Sequence, residues 1–166
     1  TSSAGFNLVQ HSSAPTSSCP LLVVITTHRR ALQCTRLLHQ LREALDFADR
    51  DAHVVVINDP SSHDYAVVRR ALARLFPASH ELYQATEFLG KTRFWAIHQQ
   101  AFDVVRMHRP GSVLFLQDDV ELAPRFFERL QNAWGDVTDP RKAALYLCAM
   151  DTDEPDGRWI RFRRSR

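Results

Sequence analysis

Two adjacent carboxylates, Asp118 and Asp119, follow Gln117 and the apolar residues 113–116. Neighbouring carboxylates repel each other unless a cation or a network of hydrogen bonds absorbs their charge. Carboxylate oxygens are hard ligands that suit Mg²⁺ or Mn²⁺, and such an ion can hold the oxygens of a phosphate or diphosphate. Alternatively, the acids only open the next helix, because Asp is common near helix N-termini and Pro124 follows closely. Both interpretations stay open on these residues alone.

The residues before this pair are typical of a strand covered on both faces, and open α/β sheets bind ligands at the carboxyl ends of such strands. Strands alternate along the chain with helices that have one apolar face. We predict strands at residues 21–25, 53–57, 82–85, 113–116, 144–148 and 159–162, and helices at 32–45, 67–75, 94–107 and 126–134. This alternation predicts an α/β fold, a three-layer α/β/α sandwich with a predominantly parallel sheet.

Polar residues also follow the other predicted strands. They are Thr26, His28, Arg30, Asp59, Lys91 and Arg93. The last two stand where a loop enters a helix, so cationic side chains and backbone N–H groups together could bind a diphosphate. Each residue also has a simpler explanation, as a polar loop residue, a turn residue before Pro60 or a solvated helix start.

Length and composition set the broad class. The 166 residues predict one domain, over residues 19–166, preceded by a flexible serine-rich arm at 1–18. A net charge of +2 gives no general reason to expect nucleic acid as a partner. Three widely spaced cysteines indicate reduced thiols rather than a zinc or redox motif. No apolar run approaches the roughly 20 residues needed to span a bilayer, and no signal peptide is recognisable, so we predict a cytoplasmic location.

Missing motifs weigh against several nucleotide-binding classes. Neither G-x-G-x-x-G nor G-x-x-x-x-G-K-[ST] follows the first strand, as a dinucleotide-binding dehydrogenase or a P-loop nucleotidase would require. Residues 26–30 contain no glycine, whereas a sugar-phosphate nucleotidyltransferase has a glycine-rich loop at this point. The sequence therefore does not favour a dehydrogenase, a P-loop nucleotidase or a nucleotidyltransferase.

Four segments resemble the nucleotide-sugar-dependent glycosyltransferases of the GT-A class, family 2-like, over roughly residues 20–150. They are residues 23–30 (VVITTHRR), 55–59 (VVIND), 90–93 (GKTR) and 115–120 (FLQDDV). The Gln-Asp-Asp sequence at 117–119 departs from the strict D-x-D motif and is similar to the Glu-Asp-Asp variant of N-acetylglucosaminyltransferases. The resemblance implies a UDP- or GDP-linked sugar as donor and Mn²⁺ or Mg²⁺ as cofactor.

The resemblance also implies roles at the diphosphate. Asp119 would bind the metal directly, and Asp118 would reach the ribose or a metal-bound water. Lys91 and Arg93 would face the diphosphate. The metal would stabilise the negative charge that develops on the leaving nucleoside diphosphate.

At the nucleoside, Thr26, His28 and Arg30 would lie near the base and the ribose. Asp59 would accept a hydrogen bond from a ring N–H of the base. These roles come from the resemblance alone, so the ordinary loop and turn explanations remain as alternatives.

Inverting members of the family use an acid well after the metal motif as general base. The candidates here are Asp151, Asp153 and Glu154, although Pro155 and Gly157 also make this stretch an ordinary acidic turn. We therefore predict a glycosyltransferase with an unidentified acceptor and a short or missing acceptor side. The alternative is a nucleotide-sugar binding module without its own acceptor site. The arginine-rich residues 161–166 could approach nucleic acid or a lipid diphosphate, but a solvated tail explains them better.

Overall fold

The structure, a computed structural model, describes residues 5–11, 20–59 and 65–144. These residues form five strands, four α-helices and one short 3₁₀ helix at Lys91–Arg93. The strands are β1 (Phe6–His11), β2 (Leu21–His28), β3 (His53–Asp59), β4 (His80–Ala85) and β5 (Ser112–Gln117). The helices are α1 (Ala31–Phe47), α2 (Tyr65–Leu75), α3 (Trp95–His108) and α4 (Phe126–Asp136). The structure thus confirms the first four predicted strands and all four predicted helices. The strands predicted at 144–148 and 159–162 lie outside the described residues, apart from Ala144.

The strands form one mixed sheet in the order β1-β4-β3-β2-β5. The pairs β2–β3, β3–β4 and β2–β5 are parallel, and β1–β4 is antiparallel. Because parallel strands run in the same direction, β2 to β5 all end at one edge of the sheet. The loops that hold the predicted site residues therefore start from the same edge.

The central strands β2 and β3 are buried on both faces, as their uninterrupted apolar sequence predicts. On one face, side chains of both strands pack with α3, in a cluster that includes Leu22, Val24, Val55, Ile57, Ile97, Ala101 and Val104. The intervening residues of both strands point to the opposite face, and they too are fully buried. Helices α1 and α2 pack against each other and contact β2 and β4, respectively. The two strands that end at residues 26–28 and at Asp59 are thus held from both sides.

Strand β5 differs from the prediction of a strand covered on both faces. Leu114 and Leu116 are buried, but Phe115 is 47% exposed. Its ring contacts that of Phe102, with 5.6 Å between the centroids. β5 is the last strand at one edge of the described sheet, and an apolar run does not distinguish such a strand from a central one.

Strand β1 lies within residues that the sequence analysis assigned to a flexible arm, which corrects that expectation for Phe6–His11. The strand pairs with β4, and the backbone N–H of Thr86 donates to the carbonyl of Gly5 over 2.9 Å. Most of its residues are exposed, including the apolar Leu8 and Val9, so the strand is held mainly by its pairing with the edge of β4. Residues 1–4 and 12–19 of the expected arm lie outside the described residues.

The chain divides into two compact units, Thr1–Pro124 and Arg125–Arg166. The first contains the whole sheet with α1, α2 and α3, and the described part of the second contains α4. Within the second unit, the ammonium group of Lys142 donates to the carbonyls of Trp134 and Val137, over 2.6 and 2.7 Å. The single domain expected over residues 19–166 stays a prediction. Among the described residues, none of the helices has the length and apolar character needed to cross a membrane.

Candidate active site

The candidate site lies at the carboxyl ends of β2 and β5. These strands are paired up to Thr26 and Gln117, and the backbone N–H of Asp118 then donates to the carbonyl of Thr26 over 3.1 Å. This bond keeps the chain beside β2 for one residue beyond the strand. The Asp118 side chain consequently lies against Thr27 and His28.

Asp118 is almost completely buried, with 5% of its surface exposed. Its Oδ2 accepts a hydrogen bond from the Thr27 hydroxyl over 2.7 Å and another from the backbone N–H of His28 over 3.0 Å. The Thr27 hydroxyl also lies 3.1 Å from the hydroxyl of Tyr65. A network of hydrogen bonds thus absorbs part of the charge of Asp118, so this carboxylate is fixed in position.

Asp119, in contrast, is 45% exposed and forms an ion pair with the guanidinium group of Arg30, which is 46% exposed. The same guanidinium nitrogen lies 3.5 Å from Oδ1 of Asp118. The hydrogen bond to Asp119 and the charges of both aspartates raise the pKa of Arg30. Both carboxylates therefore converge on one cationic group, which is supplied by the protein itself.

The same two carboxylates could also hold a divalent ion. Mg²⁺ and Mn²⁺ need only one or two carboxylates, because waters and substrate phosphates complete their coordination. Asp119 has an accessible carboxylate, and Asp118 has a fixed one whose Oδ1 faces the same cation. If the exposed Arg30 side chain moved aside, the two acids would offer hard oxygen ligands at this point.

Asp59, at the end of β3, is fully buried. Its oxygens accept hydrogen bonds from the backbone N–H groups of Leu89 and Gly90, over 3.1 and 3.0 Å, and Nδ1 of His28 lies 2.8 Å from Oδ2. Gly90 has φ of 60°, in the left-handed region that glycine adopts most readily. This geometry favours a positioning role for Asp59, which fixes the loop after β4 and orients His28, over the expected contact with a base.

A cavity of about 310 Å³ opens beside these residues, at the lower end of the range for small-molecule sites. It is lined by Thr26, His28, Arg30, Gly90, Lys91, Phe94, Gln117, Asp118 and Asp119. Six of these nine residues were predicted as site residues from the sequence. The structure thus brings together the polar groups that follow β2, β4 and β5.

Two predicted site residues, Asp59 and Arg93, do not line this cavity. The guanidinium group of Arg93 donates to Oε1 of Glu87 over 2.6 Å and to the carbonyl of Phe88 over 2.8 Å. The hydrogen bond with Glu87 raises the pKa of Arg93. The Arg93 guanidinium group is thus bound to Glu87 and Phe88, in the loop that follows β4. Asp151, Asp153 and Glu154 lie outside the described residues.

Three lining residues, Gly90, Phe94 and Gln117, were not predicted as site residues. Gly90 and Gln117 belong to the segments 90–93 and 115–120, which resemble the glycosyltransferases. Phe94 gave no signal, because an aromatic residue at the start of an amphipathic helix is more often part of the core. It adds an aromatic ring to a lining whose other side chains are mostly polar or charged.

Cys34, on α1, is completely buried behind Asp118. Burial, and to a lesser extent the charge of Asp118, raises the pKa of its thiol to about 12. The thiol therefore stays protonated and is not a candidate nucleophile.

Comparison with known proteins adds the fold class. No protein-family model matches the chain, and no curated protein matches it either. Among solved structures, the chain is similar to the mannosyltransferase PcManGT from Pyrobaculum calidifontis in complex with GDP-Man and Mn²⁺, with a TM-score of 0.51 and 23% sequence identity. The match covers 78% of this chain and 35% of that chain, so the chain spans about a third of the length of this neighbour. The described residues thus have a glycosyltransferase-like α/β fold.

Proposed function

We propose that this chain is a metal-assisted glycosyltransferase of the GT-A type that moves a sugar from a nucleotide diphosphate-sugar to an acceptor. The single observation behind this proposal is that Asp118 and Asp119 converge on one cation in a cavity at the carboxyl ends of β2 and β5. A mannosyltransferase bound to GDP-Man and Mn²⁺ has a similar fold, which supports a nucleotide-sugar donor. The proposal includes the three-layer arrangement, the Gln-Asp-Asp metal motif and a cytoplasmic location.

Asp119 is the proposed metal ligand, because its carboxylate is the accessible one of the pair. Asp118 is held by Thr27 and the backbone of His28, so it would fix the site and add a second oxygen. A bound Mn²⁺ or Mg²⁺ would stabilise the negative charge that develops on the leaving nucleoside diphosphate.

Cationic groups of the chain would bind the rest of the diphosphate. Arg30 and Lys91 both line the cavity, and Arg30 is free to turn to a phosphate once a metal ion satisfies Asp119. A planar guanidinium group suits phosphate oxygens, since it can donate two parallel hydrogen bonds. Thr26 and His28 would contact the nucleoside, with His28 oriented by Asp59 over 2.8 Å.

One observation favours the alternative, a nucleotide-sugar binding module that does not catalyse transfer. The only acids among the residues described around the cavity are Asp118 and Asp119, and both are assigned to the metal. A general base would have to come from elsewhere in the protein. Asp151, Asp153 and Glu154 remain the proposed candidates for that role.

Calorimetric titration of GDP and UDP, with and without Mn²⁺, tests the proposal on the wild-type chain and on Asp119→Ala. Glu121→Ala is the matched control, because Glu121 is an exposed acid nearby that pairs with Arg36 and does not line the cavity. We expect Mn²⁺-dependent binding in the wild type and in Glu121→Ala, and loss of binding in Asp119→Ala. Absence of nucleotide binding under every metal condition would refute the donor site.

Turnover separates the enzyme from the binding module. Protein that binds a nucleotide should be incubated with Mn²⁺ and the corresponding UDP- or GDP-linked sugar, and release of the nucleoside diphosphate should be measured. Release above that of Asp119→Ala supports the transferase. Tight binding without release supports the binding module instead.

A further inference from the structure

A second polar cluster lies at the opposite end of the sheet from the candidate active site. His53 is the first residue of β3 and Asp59 is the last. At a strand rise of about 3.3 Å per residue, these two residues are about 20 Å apart. Glu81 is near the start of β4, and His108 is the last residue of α3. None of these cluster residues lines the described cavity, so the proposed donor site does not explain them.

The side chains of His53, Glu81 and His108, here called the His–Glu cluster, converge in the interior. Oε1 of Glu81 lies 3.2 Å from Nε2 of His53 and 2.9 Å from Nε2 of His108. One ligand atom from each of the three residues lies within 4.8 Å of the others. The side chains are only 4%, 2% and 16% exposed, respectively. Two imidazoles and one carboxylate thus surround a single buried point.

We propose that the His–Glu cluster is a structural Zn²⁺ site, with His11 as its fourth ligand. Zinc binds histidine nitrogen and carboxylate oxygen at about 2.0–2.2 Å in tetrahedral geometry, which places neighbouring ligand atoms about 3.3 Å apart. The separations of 3.2 and 2.9 Å are close to that value. Mg²⁺ and Ca²⁺ prefer oxygen ligands throughout, whereas imidazole suits zinc.

The orientation of His108 supports a shared ion over a simple hydrogen-bond network. Its Nε2 is buried and, among the described residues, has no hydrogen-bond partner, although it lies 2.9 Å from Oε1 of Glu81. A buried nitrogen that misses a hydrogen bond at this distance destabilises the fold. If both atoms bound one ion between them, this cost would disappear.

Neighbouring residues complete the proposed site. The hydroxyl of Tyr83 donates to Oε2 of Glu81 over 2.7 Å, which orients the carboxylate and leaves Oε1 for the metal, as outer hydrogen bonds do at known metal sites. His11 is the cross-strand partner of Glu81 in the β1–β4 pair, and its Nδ1 lies 3.6 Å from Oε1. His11 is half-exposed, so it could close the site from the solvent side.

Zinc binding to the full chain tests the proposal, after removal of any histidine tag and of metals by chelation. We expect one Zn²⁺ per chain by competition calorimetry. At a hundredfold excess of zinc over Kd, the melting temperature should rise by about 5–10 °C, whereas Mg²⁺ should have no such effect. Glu81→Gln and His108→Gln should each weaken zinc binding by at least about 100-fold, because each removes a group that binds the metal directly. Loss of a residue that only hydrogen-bonds to a metal ligand already lowers metal affinity by about 10–100-fold.

His98→Gln is the matched control, because His98 is an exposed histidine on the same helix as His108. It should bind zinc like the wild type. A wild-type chain that neither binds zinc nor gains thermal stability from it overturns the proposal and leaves a hydrogen-bonded network only. Wild-type affinity in both cluster variants would overturn it too. If His108→Gln does not fold, Glu81→Gln and the melting temperature of the wild type decide.

Discussion

Replacing Asp118 by alanine should destabilise the fold far more than replacing Asp119, although the two residues are adjacent. In Asp118→Ala, the hydroxyl of Thr27 and the backbone N–H of His28 lose an acceptor that is 2.7 and 3.0 Å away. Hydrogen bonds to charged groups contribute about 1.5–3 kcal/mol, and a buried donor left without a partner costs about 1–3 kcal/mol. We therefore expect the free energy of unfolding to fall by about 2–4 kcal/mol.

In Asp119→Ala, the lost interaction is an ion pair whose two side chains are 45% and 46% exposed. Exposed pairs of this kind contribute about 0–1 kcal/mol, because solvent screens them and both side chains lose freedom on pairing. The free energy of unfolding should therefore change by less than about 1 kcal/mol. Metal-dependent nucleotide binding, in contrast, should be lost.

Urea unfolding followed by circular dichroism gives the free energy of unfolding for both variants, and calorimetry gives nucleotide binding. Asp118→Asn is a useful third variant, since its amide oxygen can still accept from Thr27 while the charge is gone. Its loss of stability should lie between those of the two alanine variants. Wild-type stability of Asp118→Ala would contradict the anchoring of Asp118 by Thr27 and His28. A loss of stability in Asp119→Ala as large as that in Asp118→Ala would contradict the exposed, weakly contributing ion pair of Asp119.

Three further predictions concern single side chains. Arg30→Ala should bind Mn²⁺ up to about fivefold more tightly in calorimetry, because the guanidinium group that competes with the metal for Asp119 is removed. Weaker binding would contradict a site that Arg30 and the metal share. Asp59→Ala should speed hydrogen exchange of the two loop amides it binds by about tenfold or more, since each loses a charged acceptor; unchanged exchange would argue against a positioning role. Cys34 should react with iodoacetamide at pH 8 only after unfolding, because burial raises its pKa to about 12; labelling of its peptide in the native protein, seen by mass spectrometry, would contradict the buried position.

The central part of the fold could be predicted because its signal is local. β2 and β3 each contain an uninterrupted apolar run, at residues 21–25 and 54–57, that is followed by polar residues. α1 shows helical spacing, with Leu37, Leu38 and Leu41 on one buried face. β1 could not be predicted, since its short sequence has no sustained hydrophobic period and its partner β4 follows about 70 residues later. Pairing between distant segments does not produce a periodic pattern of apolar residues in either segment.

The candidate site was predictable for a similar reason. Topology places the ends of parallel strands at one edge, and the pairing of β2 with β5 brings together the polar residues that directly follow these two strands. The role of Asp59 was not predictable, because its carboxylate turns inward to Leu89 and Gly90, which lie thirty residues further along the chain. The His–Glu cluster was missed since its three members are widely separated in the sequence and form no metal motif.

The central position of β2 has a consequence for the time course of synthesis. Its first residues pair with β5 at Leu21 and Ser112, which are separated by about 90 residues. At a translation rate of about 5–20 residues per second, β2 emerges from the ribosome roughly 5–18 s before its second partner exists. During that interval one edge of the apolar run at residues 21–25 has no native neighbour, so we expect a nascent chain of this protein to expose an apolar segment for several seconds.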